Sequence, residues 1–166
     1  MYKPRFLVNT YINTEILDIF EQDSKIARVC FHEAGHAIIL TAFDGDVVSI
    51  IVYPNGEGTT FGDIRQYLSD TEKHDMICMA GFFFESLICG RYNLPFPENF
   101  PDCHLDVVNT FTGNVDNVIW NLEKLIILND YIVKVVEDTA IKLFKSGLTL
   151  DGDTIRELWH NADKIK

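Results

Sequence analysis

The chain has 166 residues, of which 14 are Lys or Arg and 25 are Asp or Glu, so its formal net charge is -11. This acidity disfavours nucleic acid or an anionic membrane as the main partner, because both require a basic face. Hydrophobic residues make up 47% of the chain, which is typical of a globular domain with a core. Because we see no signal-peptide pattern and no membrane-spanning apolar run, we expect a soluble, cytoplasmic protein.

Residues 1–24 are predicted to form either an N-terminal arm or a short helix over Thr14–Glu21. A second helix is predicted to begin at Ser24, a suitable N-cap, and to run to Phe43. The Asp44-Gly45 pair then stops it. Its apolar residues cover nearly every face, which predicts a buried central helix.

A run of β-branched residues over Val47–Tyr53 predicts a strand. The turn signal Pro54–Gly58 follows it, and Thr59–Phe61 predicts a return strand, so we expect a hairpin or small sheet. A strand beside a metal-binding helix either binds a peptide backbone by β-augmentation or serves only as sheet. The sequence favours neither use.

The next predicted helix is Thr71–Cys89, with Ser69 or Asp70 as its N-cap and Gly90 at its end. The proline-rich stretch Asn93–Asp102 predicts a loop. Four further predicted helices are 103–113, Val115–Leu128, Tyr131–Lys145 and Asp153–Ala162. Together these patterns predict a mostly helical α+β fold with a small sheet and a C-terminal helical bundle, in which residues 25–166 form one domain.

The residues that carry chemistry form an HExxH motif on the central helix. Positions i and i+4 of a helix share a face, so His32 and His36 can reach one metal ion. Glu33 lies beside them and can accept a proton from water that the metal activates. Gly35 costs a helix about 1 kcal/mol relative to Ala, which indicates close approach by another segment.

A catalytic zinc site needs a third protein ligand and one open position. No His or Glu follows the motif at the short spacing of metzincins. The candidates farther along the chain are Glu85, Asp102, His104 and Asp106. Helical placement alone does not choose among them.

Several segments resemble the peptidase domain of FtsH-type AAA zinc metalloproteases. His32–Ala37 reads HEAGHA, and Val48–Gly62 is similar to the strand and turn that follow the zinc helix in that family. Ala80–Glu85 is similar to its GGRAAE-type segment, and Cys103–Val107 to its SNDL-type segment. Leu150–Ile155 is similar to its late LDG segment, so the resemblance covers most of the chain.

The resemblance implies a zinc metalloendopeptidase in which His32, His36 and Asp106 bind Zn²⁺ and Glu33 is the general base. Glu85 would then orient one of the ligands. His104 and Asp102 stay as alternative ligands.

The chain also departs from that family. It contains no G-x-x-x-x-G-K-[ST] P-loop, and Phe82 stands at the position of the family's Arg. We therefore expect a stand-alone peptidase domain that lacks the AAA module and acts on peptide or protein substrates. Two alternatives stay open: a catalytically silent zinc-binding regulatory or interaction module, and a peptidase subunit that needs a separate ATPase unfoldase. A homo-oligomer also stays open.

Overall fold

The computed structural model of the chain describes residues 12–95 and 114–163. Within them the fold is α+β and mostly helical, as the sequence predicts. The predicted helix 103–113 and most of the loop before it lie outside the described residues. So do Asp102, His104 and Asp106, and the roles assigned to these three stay predictions.

The described residues form six α-helices, and a short 3-10 turn covers Arg65–Tyr67. The helices are α1 (Thr14–Gln22), α2 (Ser24–Ala42), α3 (Thr71–Arg91), α4 (Val115–Leu128), α5 (Tyr131–Lys145) and α6 (Gly152–Asp163). In this part of the chain no helix has both the length and the apolar character needed to cross a bilayer. Of the two predictions for the N-terminal part, the short helix is the one observed, and Ile16 and Ile19 on α1 are fully buried.

Two predicted helix ends are wrong in detail. The N-cap of α2 is Asp23 and not Ser24, because the Asp23 carboxylate accepts the backbone N–H groups of the next turn at 3.0 and 3.1 Å. Gly90 does not end α3, which continues to Arg91. The left-handed residue after this helix is Asn93, with φ of 52°, so Asn93 takes the position where glycine was expected.

The sheet has three antiparallel strands in the order β2-β1-β3. They are β1 (Val47–Val52), β2 (Gly58–Gly62) and β3 (Thr149–Asp151). The predicted hairpin is thus confirmed, and its turn contains Gly56 in the left-handed region, with φ of 83°.

Strand β1 lies in the middle of the sheet, with Ile50 opposite Thr60 on one side and Leu150 on the other. Because both of its edges are paired, β1 cannot add a peptide strand, and that proposed use of Val47–Tyr53 is wrong. Strand β2 is an outer strand of this sheet.

Helix α2 is the buried centre of the fold, as predicted. It packs against α3, α5, β1 and β2, and Phe31, Ile38 and Ile39 on it are fully buried. Gly35 marks the closest approach to α3, since a Cβ there would lie 2.8 Å from the Ala80 carbonyl oxygen. The close approach that this glycine indicates is therefore present.

Helix α3 also buries a histidine outside the HExxH motif. Only 7% of His74 is exposed. Its Nδ1 lies 3.3 Å from a carboxylate oxygen of Asp75, which is also buried. Residues 71–73 at the start of α3 are exposed and burial begins at His74, on a helix that packs against α2 and the 3-10 turn. His160 on α6, in contrast, is exposed.

Candidate metal centre

The HExxH motif lies in the interior of α2, and its two histidines face α3. His32 and Glu33 are each 6% exposed, whereas His36 is half-buried. The motif therefore lies in the core between two helices, with solvent access on the His36 side. Ionisable groups at such a position need polar partners or a metal ion, because burial without them is costly.

The two histidine rings converge on one point. Their Nε2 atoms lie 3.1 Å apart, and the ring centroids are 4.8 Å apart in an edge-to-face arrangement. An ion bound to both nitrogens at the usual zinc distance of about 2.0–2.1 Å would subtend an N–metal–N angle of about 100°. That angle is close to tetrahedral, so the pair already has a spacing that suits zinc.

The hydrogen bonds of the two Nδ1 atoms determine the tautomer of each ring and so leave a lone pair on each Nε2. The Nδ1 of His36 lies 2.7 Å from the carbonyl oxygen of Ile77, which can only accept, so this Nδ1 carries the hydrogen. The Nδ1 of His32 lies 3.2 Å from Oε2 of Glu85 and donates to that carboxylate. Both Nε2 atoms then direct lone pairs towards each other, an arrangement that a proton or a metal cation between them stabilises.

Gly81 on α3 forms the wall opposite the two imidazoles. A Cβ at this position would lie 2.4 Å from Nε2 of His36 and 2.6 Å from Nε2 of His32. The absence of a side chain thus leaves space next to both nitrogens. The donor set, the lone-pair orientation and this space all fit a metal ion bound by the two histidines.

Glu85 on α3 is the hydrogen-bond partner of His32. It is 5% exposed, and its second carboxylate oxygen lies 3.7 Å from the guanidinium of Arg28. Burial lowers the pKa of His32, but the hydrogen bond with Glu85 and the charges of Glu33 and Glu85 raise it, and the net direction is upward. Glu85 thus increases the basicity of His32 and holds its ring.

Glu33 is directed towards β2. Its Oε2 accepts a hydrogen bond from the Thr60 hydroxyl at 2.7 Å. Burial raises the pKa of Glu33, while His32 and the Thr60 hydrogen bonds lower it, and the net shift is upward. A carboxyl group with a raised pKa is better suited to accept and return a proton near neutral pH.

A third ligand is not found in the described residues: no group of three or more His, Cys, Asp or Glu side chains in 12–95 and 114–163 is placed to hold a metal ion. Burial, followed by nearby carboxylates, raises the pKa values of the Cys30 and Cys89 thiols to about 12, which disfavours both as thiolate ligands. Within the described residues, the candidate metal ligands are therefore the imidazoles of His32 and His36.

Sequence reasoning missed three contributors to the site: Ile77, Gly81 and Thr60. Ile77, Gly81 and Glu85 recur at every fourth residue of α3, so they form one stripe along the face that covers the histidines. This spacing is visible in the sequence. Thr60 had no such signal, because its contact with Glu33 depends on how the hairpin packs on α2.

Comparisons of the chain with protein-family models, with curated proteins and with solved structures give no match. The resemblance to FtsH-type peptidases therefore rests on the motifs quoted above, and a function has to be inferred from the geometry of the site.

Proposed function

We propose that the chain is a zinc-dependent metallopeptidase that hydrolyses peptide bonds with Glu33 as general base. The observation that carries the proposal is the convergence of the His32 and His36 Nε2 atoms, 3.1 Å apart, with both Nδ1 atoms engaged elsewhere. Two imidazoles at i and i+4 followed by a carboxylate ligand form a set that suits zinc. The space beside Gly81 supports the same conclusion.

In this proposal His32 and His36 hold the metal through Nε2, and Asp106 is the third ligand that the family resemblance suggests. Asp102 and His104 are the alternatives for that third position. Three protein ligands leave one position for water and substrate, as catalysis requires.

When bound, zinc would polarise the substrate carbonyl and lower the pKa of a coordinated water to about 7. Glu33 accepts the proton of the attacking water and returns it to the leaving amine as the C–N bond breaks. The products are a carboxylic acid and an amine. Glu85 and the Ile77 carbonyl keep the two imidazole rings oriented throughout, because each binds the Nδ1 atom of one ring.

The test begins with metal analysis of protein purified without added zinc, followed by cleavage of casein and of short peptides. We expect about one zinc per chain, and a loss of at least 100-fold in kcat for Glu33→Gln. Glu72→Gln serves as the matched control, because Glu72 is an exposed carboxylate on α3. Absence of bound metal would contradict the site, and unchanged cleavage by Glu33→Gln would contradict Glu33 as base.

The burial of Glu33, which is 6% exposed, is the observation that favours a catalytically silent zinc-binding module. Such a module predicts that removing zinc with a chelator unfolds the protein, whereas a catalytic site predicts a folded but inactive protein. A peptidase subunit that depends on a separate ATPase unfoldase would cleave short peptides and leave folded proteins intact. Chelator treatment, short peptides and a folded protein substrate together therefore separate the three alternatives.

A further inference from the structure

Two residues of strand β2, Thr60 and Gly58, lie against Glu33. The Thr60 Oγ1 lies 2.7 Å from Oε2 of Glu33 and 3.0 Å from its backbone carbonyl oxygen. Gly58 adjoins the other side of the carboxyl group, since a Cβ there would lie 2.6 Å from Cγ and 2.8 Å from Oε1 of Glu33. Of the two carboxyl oxygens, Oε2 is therefore bonded to the Thr60 hydroxyl. The space beside Oε1 stays clear because Gly58 has no side chain.

The two contacting residues share one face of the strand. Side chains alternate along a strand, so residues 58 and 60 point to the same side and Thr59 points to the other. Pairing of Thr60 with Ile50 and of Gly58 with Val52 sets this register. A slip of one residue would replace Thr60 by Thr59 or Phe61 on the face that meets Glu33.

We infer that Thr60 is a positioning residue for the general base, acting through its hydroxyl on the rotamer of Glu33. A glutamate side chain has three rotatable torsions, and ordering them costs conformational entropy that a bonding partner must offset. The Thr60 hydrogen bond supplies that partner on the side of Oε2, and Oε1 is then the oxygen that takes the proton. This inference rests on the proposed function, because it assigns Thr60 a role in the same reaction.

The test compares three variants of the full chain. Thr60→Val keeps the shape and β-branching of the side chain but removes the donor, whereas Thr60→Ser keeps the donor. Thr59→Val is the matched control, because it removes a hydroxyl from the same strand on the opposite face. The side-chain hydrogen bonds of Thr60 go to Glu33, so all three variants are expected to bind zinc with an affinity within twofold of the wild type.

We expect Thr60→Val to lower kcat by about tenfold or more with KM within twofold, because a hydrogen bond to a charged group is lost. Thr60→Ser should restore most of kcat, and Thr59→Val should leave it unchanged. In the Glu33→Gln background, Thr60→Val should cause no further loss, since its effect passes through Glu33. Equal kcat values for the Val and Ser variants, or an additive loss in the double variant, would overturn the inference.

A second measurement does not depend on turnover. Crystal structures of Thr60→Val and Thr60→Ser should show the Glu33 carboxyl group displaced in the first and retained in the second. If the wild type cleaves no peptide, the proposed function fails, and these structures still decide whether Thr60 orients Glu33. An identical carboxyl position in both variants would overturn the inference even if the wild type is active.

Discussion

Gly81→Ala is the change that tests the geometry of the proposed metal site most directly. Its methyl group would lie 2.4 Å from Nε2 of His36 and 2.6 Å from Nε2 of His32, whereas ordinary van der Waals contact begins at 3.4 Å. One or both rings, or the α3 backbone, must therefore move by about 1 Å. Each ring is also held at Nδ1, so moving it weakens the hydrogen bond with Ile77 or Glu85.

The size of the effect follows from this displacement. Metal–ligand distances tolerate deviations of about 0.2 Å, and a shift of about 1 Å is several times larger. We therefore expect Gly81→Ala to weaken zinc binding by at least about 100-fold, which is close to 3 kcal/mol. The zinc-free protein should also lose about 1–3 kcal/mol of stability through overpacking.

Gly90→Ala is the matched control, because Gly90 lies on the same helix and a Cβ there meets nothing within 4 Å. Both variants gain the same helix preference of alanine, so their difference isolates the contact with the imidazoles. Zinc affinity is measured by competition with a chromophoric chelator, and stability by urea unfolding of the zinc-free proteins. A Gly81→Ala protein that is folded and binds zinc as tightly as Gly90→Ala would refute the placement of the metal beside Gly81.

Two further predictions concern buried carboxylates. Glu85→Gln should lower zinc affinity about tenfold, because His32 loses the charged partner that holds its ring; an affinity within twofold of the wild type in the chelator assay would contradict this. Burial raises the pKa of Glu137 above 4.5, although Arg91 and Tyr92 lower it, so the folded state binds this proton more tightly than the unfolded chain. The stability that Glu137 contributes should therefore fall as pH rises above about 4.5, and Glu137→Gln should remove that decline in urea unfolding between about pH 4 and pH 7. Identical pH dependence of the two proteins would contradict it.

Local signals in the sequence predict the helices and the hairpin well, because caps, glycines and apolar periodicity act over a few residues. Helix α2 and its stop at Asp44 follow from such signals. Strand β3 does not, since Thr149–Asp151 has only three residues and its partner β1 lies about 100 residues earlier. Its formation depends on tertiary packing that no local pattern records.

In the candidate site, too, some residues follow from local sequence spacing, whereas others are brought together only by the fold. Sequence spacing alone places His32, Glu33 and His36 on one helix, because the relevant period is local. Glu85 could be linked to His32 only through the family resemblance, since 53 residues separate them. Thr60 reaches Glu33 only after the hairpin folds back onto α2, so its contact required the structure.

The pairing of β1 with β3 has a consequence for the order of events during synthesis. Ser49 pairs with Asp151, so the middle strand of the sheet obtains its second neighbour only after residue 151 has been synthesised. Contacts between residues this distant form late and slow folding, because a long loop must close first. The hairpin that touches Glu33 therefore gains its full support only after β3 has been synthesised. A nascent fragment that carries the HExxH helix but ends before β3 would lack the completed sheet, which delays maturation of the proposed site until β3 has formed.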